Sequence, residues 1–214
     1  MARNKSDKAW MREHVTDHFV QQAKRDGLRS RAAYKLDELC DRDKLIAPGM
    51  TVVDLGSAPG GWSQIAAQRV GVKGRVIAVD VLEMTPLPGV TFIRGDFREP
   101  ETLAALEREL GGSPVDLVVS DMSPNISGIG VSDQARAAHL AELALEFAVQ
   151  WLKPGGNLLV KAFQGSGYGE LRTALKGHFR ELLTRKPEAS RGRSSEIFLL
   201  GKGLRKPLAV AGGE

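Results

Sequence analysis

The 214-residue sequence predicts an α/β fold, a mostly parallel, doubly wound sheet with one antiparallel strand near the edge and helices at the N-terminus. Three observations carry that expectation. From residue 51 onward, short runs rich in Val, Ile and Leu alternate with longer stretches of helical spacing, the pattern of strands buried on both faces. A glycine-rich turn, Gly56-Ser57-Ala58-Pro59-Gly60-Gly61, separates the first such run from the first such helix. The last two runs are joined by the basic loop 186–195 and read as a hairpin, which reverses one strand near an edge.

Residues 7–26 have the spacing of an amphipathic helix, with Trp10, His14, Phe19 and Ala23 among its less polar positions and Gly27 at its end. A second helix is expected from about Ser30, as N-cap, to about Leu39, with Tyr34, Leu36 and Leu39 available for packing. Pro48-Gly49 breaks the chain before the strand that starts at Thr51 and ends at Asp54-Leu55. Trp62-Ser63-Gln64-Ile65-Ala66-Ala67 opens the helix after the turn. Arg75–Asp80 and Val90–Ile93 are the next strands, the latter followed by Gly95-Asp96. A helix near 100–110 leads to the strand Val115–Asp121. A long helix over 134–152 stops at Lys153-Pro154-Gly155-Gly156, ahead of the strand Asn157–Phe163. A helix over 169–178, a strand near 179–185 and the strand Glu196–Leu200 complete the series. One domain is expected, with 1–49 as a helical extension, 50–203 as the core and 204–214 as a disordered tail.

Composition narrows the class. Apolar residues make up 42% and charged residues 26%, the balance of a soluble globular protein. No apolar run approaches the ~20 residues that span a bilayer. The N-terminus has neither an apolar core nor an acid-free stretch, so no signal or transit peptide is expected and the cytoplasm is the default compartment. Cys40 is the single cysteine and falls in an apolar helical pattern, which excludes an internal disulfide or a cysteine zinc cluster and points to packing. No metal site is expected. Charge is unevenly spread. Residues 1–35 hold 9 basic against 4 acidic residues, 36–171 hold 11 against 18, and 172–206 hold 10 against 3. An acidic middle between basic ends suits a small-molecule core whose termini meet a polyanion, although two solvated basic faces would give the same count.

The glycine turn lies between a strand and a helix N-terminus, where a nucleotide-like ligand can sit. Its spacing is not G-x-G-x-x-G. Pro59 removes one N–H and stiffens the loop, leaving fewer donors for a pyrophosphate. An adenosine without phosphate suits it better, and S-adenosylmethionine is the candidate. Four successive strands end in acids, Asp54, Asp80, Asp96 and Asp121, at the sheet edge where such folds bind ligands. Asp80 lies about twenty residues past the turn, where an acid accepts from ribose hydroxyls. Asp96 is placed to accept from an adenine amino group. Asp54 either holds loop amides or meets the ligand. Lys161 ends the next strand, and a lysine there must be paired or functional, because burial disfavours its charged form. Asp121 on a nearby strand is the available partner.

The motifs Gly27-Leu28-Arg29-Ser30-Arg31 with Tyr34-Lys35-Leu36-Asp37, Asp54–Gln64, Ser120-Asp121-Met122-Ser123-Pro124-Asn125, Lys161-Ala162-Phe163-Gln164-Gly165, and Arg185-Lys186-Pro187 with Ser190-Arg191 and Ser195-Glu196 together resemble the FtsJ-type ribosomal RNA 2′-O-methyltransferase family, from about Trp10 to Gly203. The resemblance implies a Rossmann-like, class I S-adenosylmethionine-dependent methyltransferase that modifies a uridine ribose of 23S rRNA in the large ribosomal subunit. It implies a catalytic tetrad of Lys35, Asp121, Lys161 and Glu196, and cofactor contacts from Gly60, Trp62, Asp80, Asp96 and Asp121. Ala162, Ser166, Gly192 and Ser195 depart from residues common in the family, leaving a thinner basic loop but an intact tetrad. Removing a ribose proton needs a base in its neutral form. Lys161 fills that role in one division of labour, with Asp121 orienting it and Glu196 holding Lys35. In another, Lys35 positions the ribose and the proton leaves late. RNA phosphates are expected to meet Arg29, Arg31, Lys186, Arg191 and Arg193. No feature points to a protein partner, and a monomer is expected. A nicotinamide oxidoreductase would share the fold but not Pro59. A non-catalytic RNA-binding protein need not keep the tetrad, and a small-molecule O-methyltransferase would not need basic ends.

Overall fold

The computed structural model describes residues 17–124, 130–190 and 194–205. The apolar runs form one seven-stranded sheet of β1 (Thr51–Leu55), β2 (Arg75–Asp80), β3 (Val90–Arg94), β4 (Val115–Ser120), β5 (Leu152–Phe163), β6 (Phe179–Arg185) and β7 (Glu196–Leu204). Its order is β3-β2-β1-β4-β5-β7-β6. β1 pairs in parallel with β2 and β4, β2 with β3, and β4 with β5, while β7 runs antiparallel between β5 and the edge strand β6. The chain therefore winds outward from β1 to β3, returns, and leaves from the other side. The crevice between β1 and β4 is the point where such sheets bind ligands.

Six described helices cover the sheet: α1 (His18–Arg25), α2 (Ala32–Asp43), α3 (Gly61–Val70), α4 (Pro100–Leu110), α5 (Gly130–Trp151) and α6 (Tyr168–His178). Side chains alternate across a strand, and the two resulting cores differ. Val53, Leu55, Ile77, Val79, Val118, Leu158, Val160 and Leu199 pack beneath α4, α5 and α6. Val52, Val76, Leu117, Val119, Leu159, Phe198 and Leu200 pack beneath α2 and α3. The second set continues by twos to Asp54, Asp80, Asp121, Lys161 and Glu196. The chemistry-bearing residues thus share the α2–α3 face, at the end where the apolar positions run out.

Several boundaries differ from the expectation. Of the first expected helix, His18–Arg25 is described, with Asp17 accepting from the Phe19 N–H at 3.0 Å; Trp10 and His14 lie outside the described residues. α2 starts at Ala32 with Arg31 as its cap residue, so Ser30 is not the N-cap. The helix also runs on to Asp43, because Leu36, Leu39 and Cys40 continue an apolar stripe that Leu45 closes, and because Asp43 is held by Arg185 from β6 at 2.6 and 2.8 Å. β5 starts at Leu152, with Lys153–Gly156 bulging out between the pairs Val115–Leu152 and Leu117–Asn157. β7 runs through Leu204. Cys40 is buried as expected, and burial pushes its thiol up to about 12. Among the described residues no helix is long and apolar enough to cross a membrane.

Candidate active site

The glycine turn is built inward. The N–H groups of Gly56 and Ser57 donate to the Val79 carbonyl, that of Gly60 to the Ser57 carbonyl at 2.7 Å, and that of Ala58 to Asp80 Oδ2 at 2.8 Å. Four of the turn's N–H groups are thus taken by the protein and Pro59 has none, which leaves few donors for a pyrophosphate. Gly56 needs to be glycine: its φ is +79°, and a Cβ there would lie 2.8 Å from the backbone of Met122.

Beside the turn lies a pocket of about 720 Å³. Val79, Asp80 and Leu82 from the end of β2, Asp96, Phe97 and Arg98 from the end of β3, and Asp121 and Met122 from the end of β4 form its walls, with Arg136 and His139 of α5 opposite. Asp80 accepts one backbone N–H on each oxygen, from Ala58 and from Leu82, both at 2.8 Å, and keeps lone pairs for a ligand. Asp96 also faces the pocket, but its carboxylate is gripped by the Arg98 guanidinium at 2.6 Å and by the Arg98 N–H at 3.0 Å. That grip holds its carboxyl below the usual range. With Arg98 committed to Asp96 and Arg136 to Asp133, the carboxylates of Asp80 and Asp121 fit an adenosine carrying cationic groups better than one carrying phosphates.

Three sequence-predicted residues do not line this pocket. Trp62 is buried in the α2–α3 core, its indole N–H donating to the Ala32 carbonyl at 2.8 Å and its ring 5.5 Å from that of Phe198. Gly60 caps α3 with φ +106° and packs toward Arg29, Met84 and Leu87. Asp54 is fully buried under α3, where it accepts from the Ser63 hydroxyl at 2.6 Å; its other oxygen has no hydrogen-bond partner. Burial, opposed by Ser63 and reinforced by the charges of Asp121 and Asp80, pushes the Asp54 carboxyl up to about 7. It braces the first turn of α3 rather than facing the ligand.

The four tetrad positions form two ion pairs on one face. Lys161 and Lys35 are both buried, and buried ammonium groups require partners. Lys161 Nζ donates to the Asp121 carbonyl at 2.6 Å and lies 3.0 Å from Asp121 Oδ1. Lys35 Nζ donates to Glu196 Oε1 at 2.6 Å. The pairs adjoin through Phe198: the register sets Phe198 directly across from Lys161, and Lys35 Nζ lies 5.4 Å from the same ring. Asp121 belongs to both constellations, since it lines the pocket and pairs with Lys161.

Two residues expected at an RNA surface are engaged inside the protein. Arg29 bridges the Pro59 carbonyl and the Thr85 and Pro86 carbonyls, clamping the glycine turn to the 85–86 loop. Gln64 braces the same corner, accepting from the Arg29 N–H at 3.0 Å and donating to the Gly27 carbonyl at 2.9 Å. Arg31 joins Asp17 to the Ala189 carbonyl. Lys186 donates to the Ser194 carbonyl at 2.6 Å, while Arg191 and Arg193 lie outside the described residues. Sequence reasoning missed Arg98, Arg136 and His139 as pocket walls and Arg185 as the anchor of α2. Arg98, Arg136 and His139 stand in no motif, and Arg185, although part of a quoted motif, finds its partner Asp43 142 residues away.

A doubly wound sheet with its penultimate strand reversed, and a carboxylate-rimmed pocket at the β1–β4 crevice, define a Rossmann-like methyltransferase. The sequence model of the FtsJ-like methyltransferases matches residues 28–204, and the chain belongs to that family. It is 64% identical over 201 residues to the ribosomal RNA large subunit methyltransferase E of Methylobacillus flagellatus, covering 94% of this chain and 97% of that protein. It is 63% identical to the protein of the same name from Nitrosospira multiformis, covering 96% of this chain and all of the relative. Among solved structures, a ribosomal RNA methyltransferase from Plasmodium falciparum superposes with a TM-score of 0.75 at 31% identity, over 84% of this chain and all of that one. Fibrillarin from Methanococcus jannaschii, 16% identical over 76% of this chain and 70% of its own with a TM-score of 0.53, shares the fold.

Proposed function

We propose that this protein transfers a methyl group from S-adenosylmethionine to the 2′-hydroxyl of a uridine ribose in the 23S rRNA of the large ribosomal subunit. The observation that carries the reading is the shared position of Asp121, which joins the cofactor pocket to the Lys161 pair. The name common to the most similar relatives supports it. When bound, the cofactor supplies a methyl group activated by its sulfonium. Asp80 holds its ribose hydroxyls, Asp96 its adenine edge, and Asp121 faces its cationic end. Gly60 and Trp62 serve it indirectly, by setting the turn and the start of α3.

The remaining work falls to the tetrad. Displacement at the methyl needs the ribose oxygen held in line and relieved of one proton. Lys161 accepts that proton in its amine form, with the Asp121 carbonyl and carboxylate fixing its Nζ. Lys35, across Phe198, positions the ribose, and Glu196 fixes Lys35. On this reading the protein acts in the cytoplasm, as a monomer, on rRNA within the large subunit. The exposed Lys24 and Arg25 then join Lys186, Arg191 and Arg193 in meeting phosphates, while Arg29 and Arg31 stay with the protein. The test is to map 2′-O-methylated positions in large-subunit rRNA from cells with and without the protein, and after incubation of purified rRNA or subunits with protein and S-adenosylmethionine. One uridine should gain its 2′-O-methyl only when the protein is present. A methylated base, or an unchanged map, overturns the reading.

A further inference from the structure

We infer that Ser190 is a positioning residue for the Lys35–Glu196 pair, a role that rests on the proposed part of that pair in methyl transfer. Glu196 Oε1 accepts Lys35 Nζ at 2.6 Å, and the same oxygen accepts the Ser190 hydroxyl at 3.1 Å. A carboxylate with one donor can swing about its side-chain torsions while keeping that contact. Two donors converging on one oxygen from different elements fix its plane, and bonds to an ionised group are the strong ones.

The segment that carries Ser190 is itself seated. The Ser190 N–H donates to the Pro187 carbonyl at 2.9 Å, the Glu188 N–H donates to Glu38 Oε2 at 2.8 Å, and the Ala189 carbonyl accepts from Arg31. Arg31, Lys35 and Glu38 stand four and three residues apart and so share one face of α2. The face that presents Lys35 to Glu196 therefore also holds the segment presenting Ser190 to the same carboxylate. Ala189 and Ser190 are 1% and 7% exposed, so the hydroxyl is shielded from competing water. Ser190 does not line the cofactor pocket. It acts through Glu196 on Lys35, on the side away from the cofactor.

The experiment is a double-mutant cycle read by single-turnover methyl transfer at saturating S-adenosylmethionine and rRNA substrate. Its variants are Ser190→Ala, Glu196→Ala, which removes the accepting oxygen, and the combination, with the Kd for cofactor and for RNA measured alongside. Ser190→Ala should slow transfer about tenfold, the worth of one hydrogen bond to a charged group, with both Kd values unchanged. Added to Glu196→Ala it should cost nothing further, and Ser190→Thr, which keeps the hydroxyl, should restore most of the rate. A merely structural serine would lower the melting temperature and multiply with Glu196→Ala instead. If Glu196→Ala is impaired but Ser190→Ala is not, or if the two losses multiply, the inference is overturned and the tetrad reading stands. If Glu196→Ala itself transfers at the wild-type rate, the proposed tetrad fails and this role fails with it. Should Ser190→Ala not fold, Ser190→Thr against the isosteric Ser190→Val carries the same comparison.

Discussion

Replacing Asp54 by Asn should flatten the fall of stability between pH 4 and pH 7. Asp54 is fully buried, bonded through one oxygen to the Ser63 hydroxyl, with its other oxygen unpartnered, and its carboxyl is pushed from 3.8 up to about 7. Its folded-state value exceeds its unfolded one, so the folded chain holds a proton that the unfolded chain releases over that range. The contribution is fully present below 3.8 and is lost as the pH rises through about 7. At about 1.36 kcal/mol per pH unit, three units amount to about 4 kcal/mol as an upper figure. Asn keeps the shape and an oxygen for Ser63 but cannot titrate. Urea unfolding at several pH values between 4 and 8 reads the effect. Wild type should lose about 2–4 kcal/mol more than Asp54→Asn from the acid to the neutral end, and the variant should be the more stable protein at pH 8. Asp43 and Asp96, held low by Arg185 and Arg98, act in the opposite direction and are common to both proteins, so the difference isolates Asp54. Parallel curves for the two proteins would refute the argument.

Three further outcomes follow from the site. Lys161→Ala should keep the fold and cofactor affinity while single-turnover transfer falls by about 10²–10⁴, and Lys161→Arg should not rescue it, since a guanidinium cannot accept a proton; an arginine variant within about threefold of wild type would contradict a base role. Arg29→Ala should loosen the clamp between the glycine turn and the 85–86 loop, lowering S-adenosylmethionine affinity about tenfold by calorimetry while leaving the salt dependence of RNA binding unchanged. Asp43→Asn should strand Arg185 at the end of α2 and destabilise the protein by about 3 kcal/mol in urea titrations, with Arg185→Ala costing a similar amount.

The sequence by itself determined the layout. Runs such as Val52-Val53 and Val76–Val79, short and rich in β-branched residues, read as strands covered on both faces, and the helical stretches between them make those strands parallel. The strand-terminal acids and Lys161 were legible for the same reason, because polar residues stand out at the ends of apolar runs. Pro59 in the glycine turn told against a phosphate nest, and four of the turn's amides bond within the protein. What the sequence did not carry was pairing across distance. Lys35 and Glu196 are 161 residues apart, and they reached the sequence reading only through the family resemblance. They meet because β7 inserts against β5 in a register that sets Phe198 opposite Lys161, and because α2 lies on that face. The same applies to Arg29 and Arg31, whose local surroundings suggest a phosphate grip and whose folded partners are carbonyls of the 59 and 85–86 loops and of Ala189, with Asp17. Propensity and periodicity act over a few residues and so show in the sequence. Which buried charge finds which partner depends on strand order and register, and those are settled only when the sheet closes.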